Sequence, residues 1–164
     1  MSDKKQKTEP SRVDYWDDPA APKPTSRKAS ASAFVRNDAG SVLLLRRPDN
    51  GLWTIPTGGV KKNETVAAAA VRETREETGL DIDITGLVGI FSDPRHVIRY
   101  SDGEVRQPIN VCFRAIPTGG NLTTTDEASE VLWVEPADIA GFTIHPAIML
   151  RLNHALTATD PYLG

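Results

Sequence analysis

The sequence predicts a single α/β domain in which helices pack on a mixed sheet. The chain has 164 residues, which suits one domain with a tail. Hydrophobic residues make up 39% of it, the share of an ordinary globular protein with a buried core. Strand-like runs occur both before and after the helix-like runs, which indicates a mixed sheet rather than separate layers.

Residues 1–28 are polar, charged and proline-rich, and only "VDYW" at 13–16 offers anything to bury. So few apolar groups do not offset the entropy of ordering, so this segment is expected to be a flexible N-terminal arm, with the domain over 29–164. Tyr15 and Trp16 can still anchor the arm on the domain or on a partner chain. "ASAFVRN" and "SVLLLRR" read as strands separated by the turn residues "NDAG". "GLWTIP" is a short extended piece stopped by Pro56, and "TGGVKKN" reads as a glycine loop. "ETVAAAAVRETREET" contains neither Gly nor Pro and ends at Gly79, so it reads as a helix with Asn63 as N-cap and Glu64 in its first turn. "DIDITGLVGIFSD", "HVIRYSD" and "VRQPINVCFRAI" read as strands, the last two joined by a turn at "SDGE". In the third, alternation gives one buried face, and Cys112 is a packing residue. "EVLWVEP" is a further strand. "HPAIMLRLNHAL" reads as a helix with Pro146 in its first turn and a stripe of Ile148, Met149, Leu152 and Leu156. Trp53 and Trp133 read as core or cleft-wall residues, and no internal repeat is visible.

Composition excludes several classes. The formal net charge is −3 and the pI about 5.6, so no basic field is available for a polynucleotide. No apolar run approaches ~20 residues, so no membrane span is expected. The start of the chain has no apolar segment of the secretory kind. The single cysteine forms no intramolecular disulfide, which fits a reducing compartment. A cytoplasmic protein is the expectation.

The stretch "RETREETG" at 72–79 places three like charges on one helix. With Glu73 at zero on a helical wheel, Glu77 falls at about 40° and Glu76 at about −60°. Ala67, Val71, Thr74 and Thr78 fall between roughly 100° and 160°, which predicts that the helix docks without burying its acids. Glu73 and Glu77 repel as an i,i+4 pair by about 0.2–0.5 kcal/mol, a cost that a solvated surface would tolerate. Such a run, alone, is as a rule a solvated face. Carboxylates are also ligands for hard divalent cations, and Mg²⁺ typically takes one or two of them plus substrate phosphates. The "TGG" stretch brings backbone to the same place.

The spacing joins these features. From Gly58, five residues lead to Glu64, and seven more lead to "RETREETGL", Arg72 to Leu80. Residues 58–80 thus resemble the Nudix box, Gly, five residues, Glu, seven residues, then Arg-Glu-aliphatic-any-Glu-Glu-any-Gly-aliphatic. Thr74 departs from the aliphatic position, and Asn63, which tolerates a left-handed turn, stands where many members have glycine. The flanks "RRPDNGLWTIPTGG" and "EVLWVEPADI" also look like Nudix segments, so the likeness spans roughly 30–157.

The resemblance implies a Nudix-type α/β/α sandwich around a mixed β-sheet and hydrolysis of a nucleoside diphosphate linked to a further moiety, with Mg²⁺ or sometimes Mn²⁺. It implies Glu73, Glu76 and Glu77 as metal ligands, the Gly58 carbonyl as another, Arg72 as the residue that holds the acids, and Glu64 as structural. Bound cations would reverse the local sign for the anionic substrate and activate water. The base is then Glu73 or an acid outside the box. Glu127, Glu130 and Glu104 are the candidates, of which Glu127 is preferred. Arg95, Arg99 and Tyr100 can meet phosphate or a base, or simply belong to an exposed hairpin. His96, His145 and His154 show no metal-ligand spacing, and His145 reads as a helix-start residue. Members often form homodimers, to which the "VDYW" segment can contribute.

Two other readings keep the fold: a catalytically silent nucleotide sensor or binding module, against which the intact acid set argues, and the isoprenoid diphosphate isomerase branch, which no feature signals. As for substrate, Pro94 lies fourteen residues past Leu80, and Tyr100 lies twenty past. In the family, a proline about fifteen past accompanies ADP-ribose hydrolysis, and a tyrosine some seventeen past accompanies dinucleoside polyphosphate hydrolysis. The pattern leans toward nucleoside diphosphate sugars.

Overall fold

The computed structural model describes residues 12–164. Two sheets form the centre. The larger runs in the order β1 (Arg12–Trp16), β7 (His96–Tyr100), β8 (Val105–Gly120), β2 (Ser26–Val35), β5 (Thr57–Gly59). β6 (Leu80–Phe91) pairs with the remainder of β8, and the short β10 (Tyr162–Leu163) pairs with β6. β2 runs parallel to β8 and β10 parallel to β6, while the other pairs are antiparallel, so the sheet is mixed as expected. The smaller sheet has the order β4 (Trp53–Thr54), β3 (Val42–Arg46), β9 (Glu130–Val134).

Alternation along β2 and β3 separates two cores. Ala31, Ala33, Val35 and Leu43 pack with Ala69 and Ala70 of helix α1 (Val66–Thr78). Small residues on both sides let the helix approach the sheet closely. Phe34, Val42 and Leu44 face the opposite way and pack with Leu152 and Ala155 of helix α2 (Pro146–Thr157). A sheet buried on both faces between two helices is the α/β/α sandwich that the resemblance implied. Cys112 is fully buried in the α2-side core, where burial pushes its thiol pKa up, so it packs rather than reacts. Trp53 is buried edge-on against Phe142, at 4.9 Å between ring centroids.

Several expectations are corrected. Residues 12–16, assigned to a flexible arm over 1–28, form β1, which pairs along its whole length with β7. Main-chain pairing, which composition does not show, orders the strand, and Trp16 anchors it on the domain as the sequence allowed. Trp16 packs edge-on against His96 and His145, and the Arg95 guanidinium lies 4.8 Å from its ring. β2 likewise begins at Ser26, ahead of the expected boundary at 29. Residues 1–11 of the expected arm lie outside the described residues. The strands flanking "NDAG" share one bridge, Arg36 to Val42, and then diverge into different sheets. The first three residues of the expected "TGGVKKN" loop are β5, paired with β2.

Helix α1 starts later than the sequence suggests. Thr65, not Asn63, is the N-cap, its side chain accepting from the Ala68 N–H at 3.0 Å. Asn63 instead takes the left-handed turn before it, at φ 63°. Gly79 ends the helix at φ 79°, as the sequence predicts. The buried face is rotated toward the acids, however: Glu77 is only 7% exposed, so the helix does not dock without burying one. In α2, Leu152 is buried and Ile148, Met149 and Leu156 pack partly buried, but Arg151 sits among them and is buried too. β10 has no sequence signature of its own; Tyr162 holds it by stacking on Phe91 at 4.7 Å. Among the described residues, no helix is long and apolar enough to cross a membrane.

His145 is the N-cap of α2, its Nδ1 accepting from the Ala147 N–H at 3.1 Å, a role open only to the neutral ring. Burial pushes its pKa from 6.5 down to about 4. Between those values the unfolded chain binds more protons, so this residue's contribution to stability falls as pH drops from about 6.5 to about 4. Asparagine keeps a capping oxygen and does not titrate. The H145N variant is therefore expected to lose less melting temperature than the parent over that interval. Equal losses in the two proteins would rule out His145 as the source.

Candidate active site

The site forms where β5 meets α1. The Thr57 N–H donates to Glu77 Oε1 at 2.9 Å, and Thr57 is tied to β2 through its hydroxyl, which donates to the Ala31 carbonyl at 3.2 Å. Gly58 follows, pressed so closely against Glu73 that a Cβ there would fall inside the Glu73 carboxylate. That contact explains the glycine at this position.

Arg72 organises the surrounding acids. Its Nε and Nη2 donate to the two Glu64 oxygens at 2.7 and 2.9 Å. Nη1 donates to Glu73 at 2.8 Å and to Glu76 at 3.2 Å, and Nη2 also reaches the Gly59 carbonyl at 3.0 Å. Glu64 accepts the Lys61 N–H as well, and these bonds hold its pKa down to about 2. The guanidinium thus fastens the loop before the helix to the helix itself.

The loop after β8 supplies a further acid. Thr123 N–H donates to the Thr78 carbonyl at 2.9 Å, and the Thr125 hydroxyl donates to the Glu77 carbonyl at 3.2 Å. Ala128 is fully buried beneath the turn. These anchors fix the loop to the end of α1 and carry Glu127 to Glu73 and Glu77. Each of the three offers a carboxylate oxygen, and these oxygens lie within 4.8 Å of one another. Burial raises the pKa of Glu73, opposed by Arg72, and repulsion from Glu127 and Glu76 adds to the rise. Burial likewise raises Glu77 well above the usual carboxylate range, against the Thr57 N–H, and repulsion from Glu73 and Glu127 reinforces it. Crowded, partly desolvated carboxylates of this kind fit a divalent cation, whose charge reverses both penalties.

The sequence-predicted residues divide accordingly. Glu73, Glu77, Glu127 and Gly58 line one cleft of about 270 Å³. Glu76 lies outside the oxygen cluster, exposed and bonded by Arg72. Glu130 pairs with Arg46 at 2.9 Å, and Glu104 accepts from Arg106 and Ser26, which hold its pKa at about 2. Arg95 pairs with Asp93, whereas Tyr100 does line the cleft, beneath the Arg106 guanidinium.

A second group was not legible in sequence, because its members come from three separate elements. Asp14, His96 and His145 also bring ligand atoms within 4.8 Å of one another. Both Asp14 oxygens already accept from Arg12, at 2.8 and 2.9 Å, and one lies 3.1 Å from His96 Nε2. Burial alone would raise the Asp14 pKa, but His96 and Arg12 hold it well below the usual range. Arg12 thus already supplies the positive charge that a metal would bring, and the group is a polar anchor for β1.

Replacing Gly58 by alanine should displace the Glu73 carboxylate. The G58A variant is expected to keep its far-UV circular dichroism but to bind Mn²⁺ at least about tenfold more weakly in a calorimetric titration. Undiminished Mn²⁺ affinity would show that Gly58 and Glu73 do not share a cation.

The NUDIX domain family model matches residues 26–152. A "MutT-like protein" of Streptomyces ambofaciens is 28% identical over 143 residues, covering 87% of this chain and 86% of that protein. "Nucleoside triphosphatase NudI" of Salmonella schwarzengrund is 29% identical over 122 residues, covering 70% of this chain and 86% of that protein. The crystal structure of a MutT protein from Methanosarcina mazei superposes with a TM-score of 0.63 at 26% identity, covering 82% of this chain and 97% of that one. The box at 58–80 lies inside the matched range, at the cleft built by β5, α1 and the Glu127 loop; the chain belongs to the Nudix hydrolase family.

Proposed function

We propose that the protein hydrolyses the pyrophosphate linkage of a nucleoside diphosphate derivative with Mg²⁺, Mn²⁺ serving as a substitute. The observation that carries this reading is the convergence of Glu73, Glu77 and Glu127 from a helix and a separate loop. Glu73, Glu77 and the Gly58 carbonyl would hold the ion, with Glu76 as a further candidate ligand through water. A bound divalent cation there neutralises the pyrophosphate oxygens and polarises the phosphorus they surround. Water adds to one phosphorus, the bridging P–O bond breaks, and the proton released passes to Glu127, on the exposed side of the group. Arg72 positions Glu73 and does not touch substrate. Because Glu73 and Glu77 must be ionised to bind the ion, its affinity rises with pH while they lose their protons.

The nucleoside triphosphatase named among the relatives makes nucleoside triphosphates the first substrates to test, ahead of ADP-ribose and other nucleotide sugars. A hydrolysis screen would include both groups, oxidised triphosphates and dinucleoside polyphosphates. The variant carrying both Glu76→Gln and Glu77→Gln should lose turnover and Mg²⁺ dependence. Glu127→Gln should lower kcat by about 10²–10⁴ with little change in KM. Tight binding of a nucleotide without turnover would replace the enzymatic reading by a sensor, and full activity in the double variant would remove the metal assignment.

A further inference from the structure

Among the described residues, five cations line the cleft: Arg12, Lys28, Arg47, Arg106 and Arg151. Four are already paired with carboxylates. Arg12 holds Asp14, Arg47 holds Asp49, and Lys28 and Arg106 share Glu104. Arg151 is the exception. It is 4% exposed, its buried Nε has no hydrogen-bond partner, and no carboxylate pairs with it among the described residues. Its guanidinium stands 5.7 Å from the Phe91 ring, and Asp14 acts on it only at a distance. An unpaired buried cation is costly and calls for a physical explanation, of which a bound anion is one.

The sheet register separates Phe91, whose ring lies beside this cation, from Gly59, beside the glutamates. β6, β8, β2 and β5 lie side by side at Phe91, Asn110, Ser30 and Gly59. Phe91 and Gly59 are therefore three strand spacings apart, roughly 14 Å. One phosphate does not reach both ends.

We propose that Arg151 binds a phosphate group of the substrate other than those of the scissile pyrophosphate, at the opposite end of the cleft from Glu73, Glu77 and Glu127. The planar guanidinium fork matches a phosphate through paired N–H donors, and the buried site excludes competing water. Resting on the pyrophosphohydrolase reading, this narrows the substrate to nucleoside diphosphate derivatives with a further, distal phosphate. Arg151 is a binding residue, and it takes no part in the bond-breaking step.

The test uses the full chain in EDTA, with inorganic phosphate as probe and acetate as control, by calorimetry and thermal melting. The parent protein should bind phosphate in preference to acetate. R151M should weaken phosphate binding at least tenfold, while R151K keeps part of it. Without ligand, R151M should melt at or above the parent temperature, because an uncompensated buried charge is gone. Phosphate binding equal in R151M and the parent, no phosphate binding by the parent, or acetate bound as well as phosphate would each overturn the proposal. So would a ligand-free R151M that melts well below the parent, which marks a structural arginine. Phosphate binding that depends on Arg151 in a protein that hydrolyses no pyrophosphate would leave this site standing and remove the enzymatic reading instead.

Discussion

The hydrogen bond from the Thr57 N–H to the buried Glu77 carboxylate joins the edge of the sheet to the acidic helix. Without it, a desolvated acid with two acidic neighbours would have no donor among the contacts described here, and the helix would have reason to turn that face outward. With it, the helix axis is fixed relative to β5, and Gly58 is brought under Glu73. The Arg72 fork then ties the preceding loop to the same helix, and the Thr125 hydroxyl ties the following loop to its other end. The three carboxylates meet because these attachments leave them no other place.

The same economy of charge runs through the rest of the cleft. Its walls carry nearly balanced charge, and pairing consumes most of it within the protein. Two features stand out among the described residues: the crowded carboxylates at one end and Arg151, which pairs with no carboxylate, at the other. Charge complementarity is thus distributed by position along the cleft, not by its net value.

Much of the fold is legible in the sequence itself. Alternation identified the central strands, Gly79 ended α1, and Pro146 opened α2. Failures occurred where a distant partner overrode a local signal. β1 looked too polar to order, yet its ladder to β7 and the packing of Trp16 hold it. Asn63 resembled a cap but makes the turn that lets Thr65 serve. Arg151 does carry a local sign, a charge inside the apolar stripe of α2 between Ile148 and Ala155.

The sequence by itself determined the framework of the candidate site: the spacing from Gly58 through Glu64 to Arg72, Glu73, Glu76 and Glu77 is covalent, and helix geometry turns it into a shared face. Only the tertiary structure decided which acid that face buries, which of Glu104, Glu127 and Glu130 joins it, and where an unpaired cation stands opposite. Those outcomes depend on loops anchored across the sheet and on contacts between residues far apart in the chain. Local periodicity carries no record of them, because burial and pairing are properties of the packed whole.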